Sequence, residues 1–158
     1  MRIRQDSKSN INGKVTCRPD YGELQCQNHR FMTIKCCHEV DGEHGKIVLH
    51  TRFDEANQLE YTDVVFEGVI AYKFQGDNFG NILFGIDEVP VSEIVEKDRV
   101  LFEEGSKYAW PGPWNHSLRA CLGHFQSKVV KGWEISSTYG LCGWVIAESY
   151  FLESKGMP

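Results

Sequence analysis

Apolar and polar residues alternate along several stretches of this chain, and in two others the apolar positions recur every three to four residues. From Phe31 onward, "RFMTIKCCHEV" and "GKIVLHTRF" are short β-type runs separated by "DGEHG". There Asp41-Gly42 and Gly45 supply residues that tolerate the positive φ of a hairpin connection. The run "TDVVFEGVIAYKFQG" places Val64, Phe66, Gly68, Ile70, Tyr72 and Phe74 on one face and Glu67 and Lys73 on the other, a half-buried strand. After the turn-rich "GDNFGN", "NILFGIDEV" returns with Ile82, Phe84 and Ile86 on one face, which predicts a second hairpin.

The period changes after Pro90. Val91, Ile94, Val95, Leu101 and Phe102 fall near one helical stripe, with Ser92 placed as N-cap and Gly105 placed to end the helix. Asp98 interrupts that stripe. A second helix is predicted from Leu118, Cys121, Leu122 and Phe125 at i, i+3, i+4 and i+7, capped by Asn115 or Ser117. The segment between the helices, "KYAWPGPWNHS", can be neither helix nor strand. The end, "GWEISSTYGLCGWVIAESYFL", holds two β-type runs joined around "YGLCG", a third hairpin. The expected class is α+β: an antiparallel twisted sheet of about six strands built from three hairpins, with two helices inserted after the fourth strand and covering one face.

With 158 residues the chain is expected to fold around one core spanning 31–158, preceded by an irregular basic arm over residues 1–30. No apolar run is long enough to span a bilayer, and the basic start has no apolar stretch behind it, so a cytoplasmic protein away from membranes is expected. That compartment favours reduced thiols for the six cysteines, and adjacent Cys36 and Cys37 should point to opposite faces of a strand. The arm carries six basic against three acidic residues, a net of +3, so the remainder carries −8 within a formal total of −5. An acidic body repels phosphate backbones, which disfavours nucleic acid and favours a basic protein partner.

The chemistry-bearing residues are sparse. Cys17, Cys26, His29, Cys36, Cys37 and His38 form the densest group of soft ligands, but no C-x2-C pair is present and the spacing is poor for a zinc site. Cys121 or Cys142 beside His116 or His124 would be the nearest approach to a nucleophile and base. Cys121 sits on an apolar stripe and Cys142 in a turn, and no catalytic residue is assigned. Phosphate-cradling and EF-hand patterns are absent, and no cofactor or metal is indicated.

The strongest remaining feature is the acidic run from Asp87 to Glu104, followed directly by the aromatic segment. Glu93, Glu96, Glu103 and Glu104 would steer a cationic surface, while Tyr108, Trp110 and Trp114 would either plug the core or anchor a partner. From "FEGVIAYKFQGDNFGNILFGIDEVPVSEI" to the "GWVIA" strand, residues 61–152, the chain resembles small bacterial immunity proteins of polymorphic toxin systems. The resemblance implies a non-enzymatic protein that binds and occludes a cationic toxin; it transfers no inhibitory residue. The alternative from another class is a small-molecule-binding domain or enzyme with a pocket under the Trp110/Trp114 loop, served by Cys142 or His124.

Overall fold

The computed structural model describes residues 34–55, 58–78, 80–112 and 117–155. The basic arm, with Cys17, Cys26 and His29, lies outside the described residues, as do Trp114, Asn115 and His116. Among the described residues the fold is α+β with one antiparallel sheet, but the sheet has eight strands rather than about six, and three helices follow the fifth strand where two were expected after the fourth. The strands are β1 (Ile34–Asp41), β2 (Lys46–Glu55), β3 (Gln58–Glu67), β4 (Ala71–Gln75), β5 (Asn81–Val89), β6 (Lys131–Tyr139), β7 (Cys142–Ala147) and β8 (Ser149–Lys155), paired in the order β4-β7-β6-β5-β1-β2-β3-β8.

The first and third hairpins form as expected. In β1–β2 the Asp41 carboxylate accepts from the backbone N–H groups of Glu43 and His44 at 3.0 and 3.1 Å, which holds the turn. β6 and β7 pair from Lys131↔Ala147 to Ile135↔Gly143. The second hairpin does not form: β4 pairs with β7, and β5 lies between β1 and β6. The return strand of β2 is instead β3, paired with it along its whole length from Lys46↔Glu67 to Glu55↔Gln58.

Two extra strands arise because two runs that read as single strands are each broken once. Gly68, at φ +65°, ends β3 three residues before β4, and Glu148 separates β7 from β8. The two breaks face each other. A side chain at Gly68 would come within 2.6 Å of the Glu148 side chain, while Glu148 N–H donates to the carbonyls of Glu67 and Gly68 at 3.1 and 3.2 Å. Glycine is needed there for both its backbone conformation and its lack of a Cβ. Because β4 continues β3 and β8 continues β7, the two ends of the strip are joined by the chain itself, and the sheet is rolled round on itself.

Rolling divides the core in two. Inside the roll lie Cys36, Ile47, Leu49, Val64, Phe66, Leu83, Trp133, Ile135, Val145 and Leu152. Phe66, Trp133 and Tyr150 form a ring cluster there, with centroids 5.4 to 5.8 Å apart. Cys36 is buried inside and Cys37 exposed outside, the opposite-face arrangement expected of neighbours on a strand. In β5 the register shifts on both sides of Leu83, so Leu83 and Ile86 join the interior cluster. Phe84, expected on the buried face, is 49% exposed; the bulge moved it.

The second core lies outside the roll. Ala71, Trp144 and Ile146 on the outer face of β4 and β7 pack against α1 (Val91–Lys97), α2 (Arg99–Ser106) and α3 (Leu118–Lys128). β7 is thus buried on both sides, with Val145 and Ala147 inward and Trp144 and Ile146 under the helices. Full burial of such side chains stabilises by about 1.5–3 kcal/mol each. The helix expected after Pro90 is two helices meeting at Asp98 (φ −108°, ψ 32°). Pro90, not Ser92, occupies the N-cap of α1, and Gly105 lies within α2 rather than ending it. In α3, Ser117 caps the N-terminus as expected, its Oγ accepting from Ala120 N–H at 3.4 Å. Asn81, 2% exposed, fastens the turns at one end of the roll: its Oδ1 accepts from the N–H groups of Asn78 and Leu141, both at 2.9 Å. Its Nδ2 donates to Asp77 at 2.7 Å and to the Cys36 carbonyl at 3.3 Å.

Candidate functional site: the outer face of the helix pair

The inner residues of α1 and α2, Ile94, Val95 and Phe102, are buried to 3% or less, which fixes the direction the opposite side faces. Glu93, Glu96, Glu103 and Glu104 are all exposed on that side. The break at Asp98 joins the pair to the sheet. Its carboxylate accepts from Lys73 Nζ on β4 and from Trp144 Nε1 on β7, each at 2.5 Å. Burial opposes the charge of Asp98, but the hydrogen bonds from Lys73 and Trp144 and the lysine's charge outweigh it. The carboxyl is held below its usual range.

Much of the acidic charge is paired locally. Arg99 bridges Glu96 at 3.0 Å and Glu103 at 3.7 Å, and Lys107 meets Glu104 at 2.9 Å. The Glu96 hydrogen bond raises the Arg99 guanidinium's proton affinity further. Lys97 pairs with Glu134 across to β6, and that hydrogen bond likewise raises the Lys97 pKa. Glu93 makes no ion pair among the described residues. It stands over a groove of about 380 Å³ lined by Val89, Glu93, Ile94, Glu96, Lys97, Glu134 and Trp144.

Two members of that groove, Glu134 and Trp144, were not legible as site residues. Each sits on a β-strand tens of residues downstream, and only the β6–β7 register, which sets Glu134 opposite Trp144, brings them under α1. Glu103 and Glu104 are not part of its lining.

The aromatic segment divides. Tyr108 is 83% exposed and projects from the surface. Trp110 is half-buried and stacks on Phe102 at 5.6 Å; Phe102 in turn stacks on Trp144 at 5.5 Å, so three rings form one column between loop, helix and sheet. Trp110 N–H donates to the Gly105 carbonyl at 3.0 Å, and a side chain at Gly105 would come within 2.5 Å of the Trp110 ring. Trp110 therefore packs closely over Gly105 and Phe102. Cys121 is fully buried, and burial pushes its thiol up to about 12. His124 lies against Gly112 and Phe125, and Cys142 is half-buried at the start of β7.

Among the described residues no cluster of three or more His, Cys, Asp or Glu side chains is arranged to hold a metal ion, and no helix is long and apolar enough to cross a membrane. The four described cysteines are unpaired. Comparison of the chain with protein-family models, with curated proteins and with solved structures finds no match.

Proposed function

We propose that this chain is a non-enzymatic protein-binding domain that takes a basic partner on the outer face of α1 and α2, in the manner of an immunity protein occluding a cationic toxin. The observation that carries the proposal is the groove beside Glu93. Three carboxylates, Glu93, Glu96 and Glu134, line it together with the apolar Val89, Ile94 and Trp144; Glu96 is paired with Arg99 and Glu134 with Lys97, which leaves Glu93 unpaired among the described residues. That composition suits the stem and charged head of an arginine or lysine, the stem on the apolar side chains and the head at Glu93. Tyr108, projecting beyond the end of α2, adds exposed aromatic area near the same helix pair.

Paired glutamates contribute less to the field than their number implies, so Glu93 is the principal steering residue of the four. The acidic body disfavours nucleic acid as the partner. The test is binding to the basic product of a toxin-like reading frame encoded next to this chain, followed by association kinetics at several ionic strengths. Binding whose association rate falls steeply with salt, and falls further in Glu93→Lys, supports the proposal. Binding with a rate indifferent to salt and to Glu93→Lys removes it, as does the absence of binding.

A further inference from the structure

On the opposite part of the sheet, away from the helices, the outer face of β1, β2, β3 and β8 carries a row of directly opposed residues: Cys37↔His50, His50↔Asp63 and Asp63↔Glu153. Directly opposed residues share a face, with Cβ atoms roughly 4.5–5.5 Å apart. Three adjacent strands therefore present a thiol, an imidazole and a carboxylate in that order.

The contacts give the row a direction. His50 Nδ1 and Asp63 Oδ1 are 2.8 Å apart, and Asp63 Oδ2 is held by Lys155 Nζ at 3.1 Å. The Asp63 side chain is only 9% exposed and that of His50 37% exposed, so the buried carboxylate is the fixed end and the imidazole the end that meets solvent. With Nδ1 committed to Asp63, Nε2 faces β1, where it lies 3.5 Å from Glu39 Oε1 and where Cys37 is the residue opposite. The Cys37 thiol is exposed, unlike Cys36, whose burial, with lesser contributions from Cys37 and Asp77, pushes it up to about 12. A groove of about 290 Å³ opens on the His50 and Asp63 end of the row, with Glu39, Asp41, Lys46, Glu153 and Lys155 in its lining; Cys37 is not part of that lining.

We infer that Cys37 is a reactive thiol site, with His50 as its proton acceptor and Asp63 as the residue that positions His50, and that it forms a mixed disulfide with a small-molecule disulfide. The Cys37 thiol proton passes to His50 Nε2, and the thiolate attacks one sulfur of the small disulfide. A new S–S bond forms to Cys37 as the old one breaks, and the departing thiolate takes up the proton from His50. Cys37 is oxidised and the released half is reduced, so nothing beyond the disulfide itself is required. Asp63 is a positioning residue: it fixes the imidazole ring and tautomer without touching the reacting sulfur atoms. The site is independent of the acidic helix face and stands or falls separately from it.

The experiment uses the full chain and glutathione disulfide, with adduct formation at Cys37 followed by mass spectrometry of proteolytic fragments. Native protein should form the adduct at Cys37 about tenfold or more faster than the same cysteine does in the denatured chain at the same pH, because the base is present only in the fold. His50→Gln, shown to be folded by circular dichroism, should abolish that advantage. Asp63→Asn should lower it while flattening the dependence of the rate on pH, a change that a purely structural role for Asp63 would not produce. The inference is overturned by a native rate no faster than the denatured one, or by an advantage that survives in folded His50→Gln. Should His50→Gln not fold, the comparison of native with denatured wild-type chain decides alone.

Discussion

The indole N–H of Trp144 donates to the carboxylate of Asp98 at 2.5 Å, tying the outer face of β7 to the break between α1 and α2. Lys73 of β4 reaches the other oxygen of the same carboxylate. Asp98 thus ends one helix, begins the next and binds two strands. Asp98→Asn should lower unfolding free energy at neutral pH by about 2–3 kcal/mol, since it leaves Lys73 without its charge partner. The folded carboxyl lies below the ordinary 3.8, so its contribution is present above that value and lost as pH falls through the lower, folded one. Denaturant titrations should therefore show a constant gap between wild type and variant near neutrality that narrows below about pH 4. A gap that widened in acid would contradict the assignment.

The ring column predicts opposite outcomes for two neighbouring aromatics. Trp110→Ala removes the outer ring of the Trp110–Phe102–Trp144 stack and should cost about 2 kcal/mol of stability, less than for a fully buried ring, with little effect on the intrinsic affinity of the folded fraction. Tyr108→Ala should change stability by no more than about 0.5 kcal/mol, because the ring already faces water. Its effect should appear as faster dissociation of the partner. Unfolding curves measured beside binding kinetics separate the two.

The four helix glutamates should not be equivalent. Glu93→Lys removes an unpaired charge above the groove, whereas Glu104→Lys removes one already neutralised by Lys107. Both should leave stability within about 0.5 kcal/mol of wild type. Only the first should slow association with a basic partner several-fold at low salt, and equal effects from the two would show that the groove has no special part.

Val129 ends α3 in the left-handed region, at φ 55° and ψ 41°, with 82% of its surface exposed. A β-branched residue is poorly suited to that conformation, and exposure means that no packing is lost on truncation. Val129→Gly should raise stability by about 0.5–1 kcal/mol, read as a melting temperature higher by roughly 1–4 °C.

Asn81 is buried and makes four hydrogen bonds, two of them to the buried Cys36 carbonyl and Leu141 N–H. Asn81→Ala should cost about 2–4 kcal/mol, as the buried N–H of Leu141 loses its acceptor. Asn81→Asp keeps the shape but loses both donated bonds and sets a second carboxylate against Asp77. It should be at least as damaging at neutral pH and partly recover in mild acid, where a carboxyl can be protonated.

The alternation of apolar residues disclosed which strands exist but not how they pair. Period-two patterning in "TDVVFEGVIAYKFQG" marks faces, and nothing in it says that the chain turns a corner at Gly68 and changes partner from β8 to β7. Sequence adjacency suggested that β4 and β5 pair; closure of the roll required β5 to meet β1 and β6 instead. Local signals fared better where the physics is local: the Asp41–Gly45 turn, the α3 stripe with its Ser117 cap, and the opposed faces of Cys36 and Cys37. The exposure of Glu93, Glu96, Glu103 and Glu104 followed from their position off the apolar stripe, but Glu134 and Trp144 joined them only through long-range register. Asp98 interrupted the stripe visibly, yet the reason for its presence lay in Lys73 and Trp144, 25 and 46 residues away.

The meeting of the two breaks at Gly68 and Glu148 also governs how the protein behaves in a crowded solution. A flat sheet ends in two long rows of unpaired peptide groups, each a template on which another chain can add a strand. Here the terminal strands of the strip, β4 and β8, are five and seven residues long and are extensions of strands already held inside it. β4 has Lys73 clamped to the helix pair, and β8 ends in Glu153 and Lys155, charged residues that discourage docking of a neighbour. Opening the corner would expose the edges of two long runs, β3–β4 and β7–β8, that hold apolar segments such as residues 64–66 and 144–147. Resistance to fibril formation in this protein should therefore reside in one glycine and the glutamate folded over it.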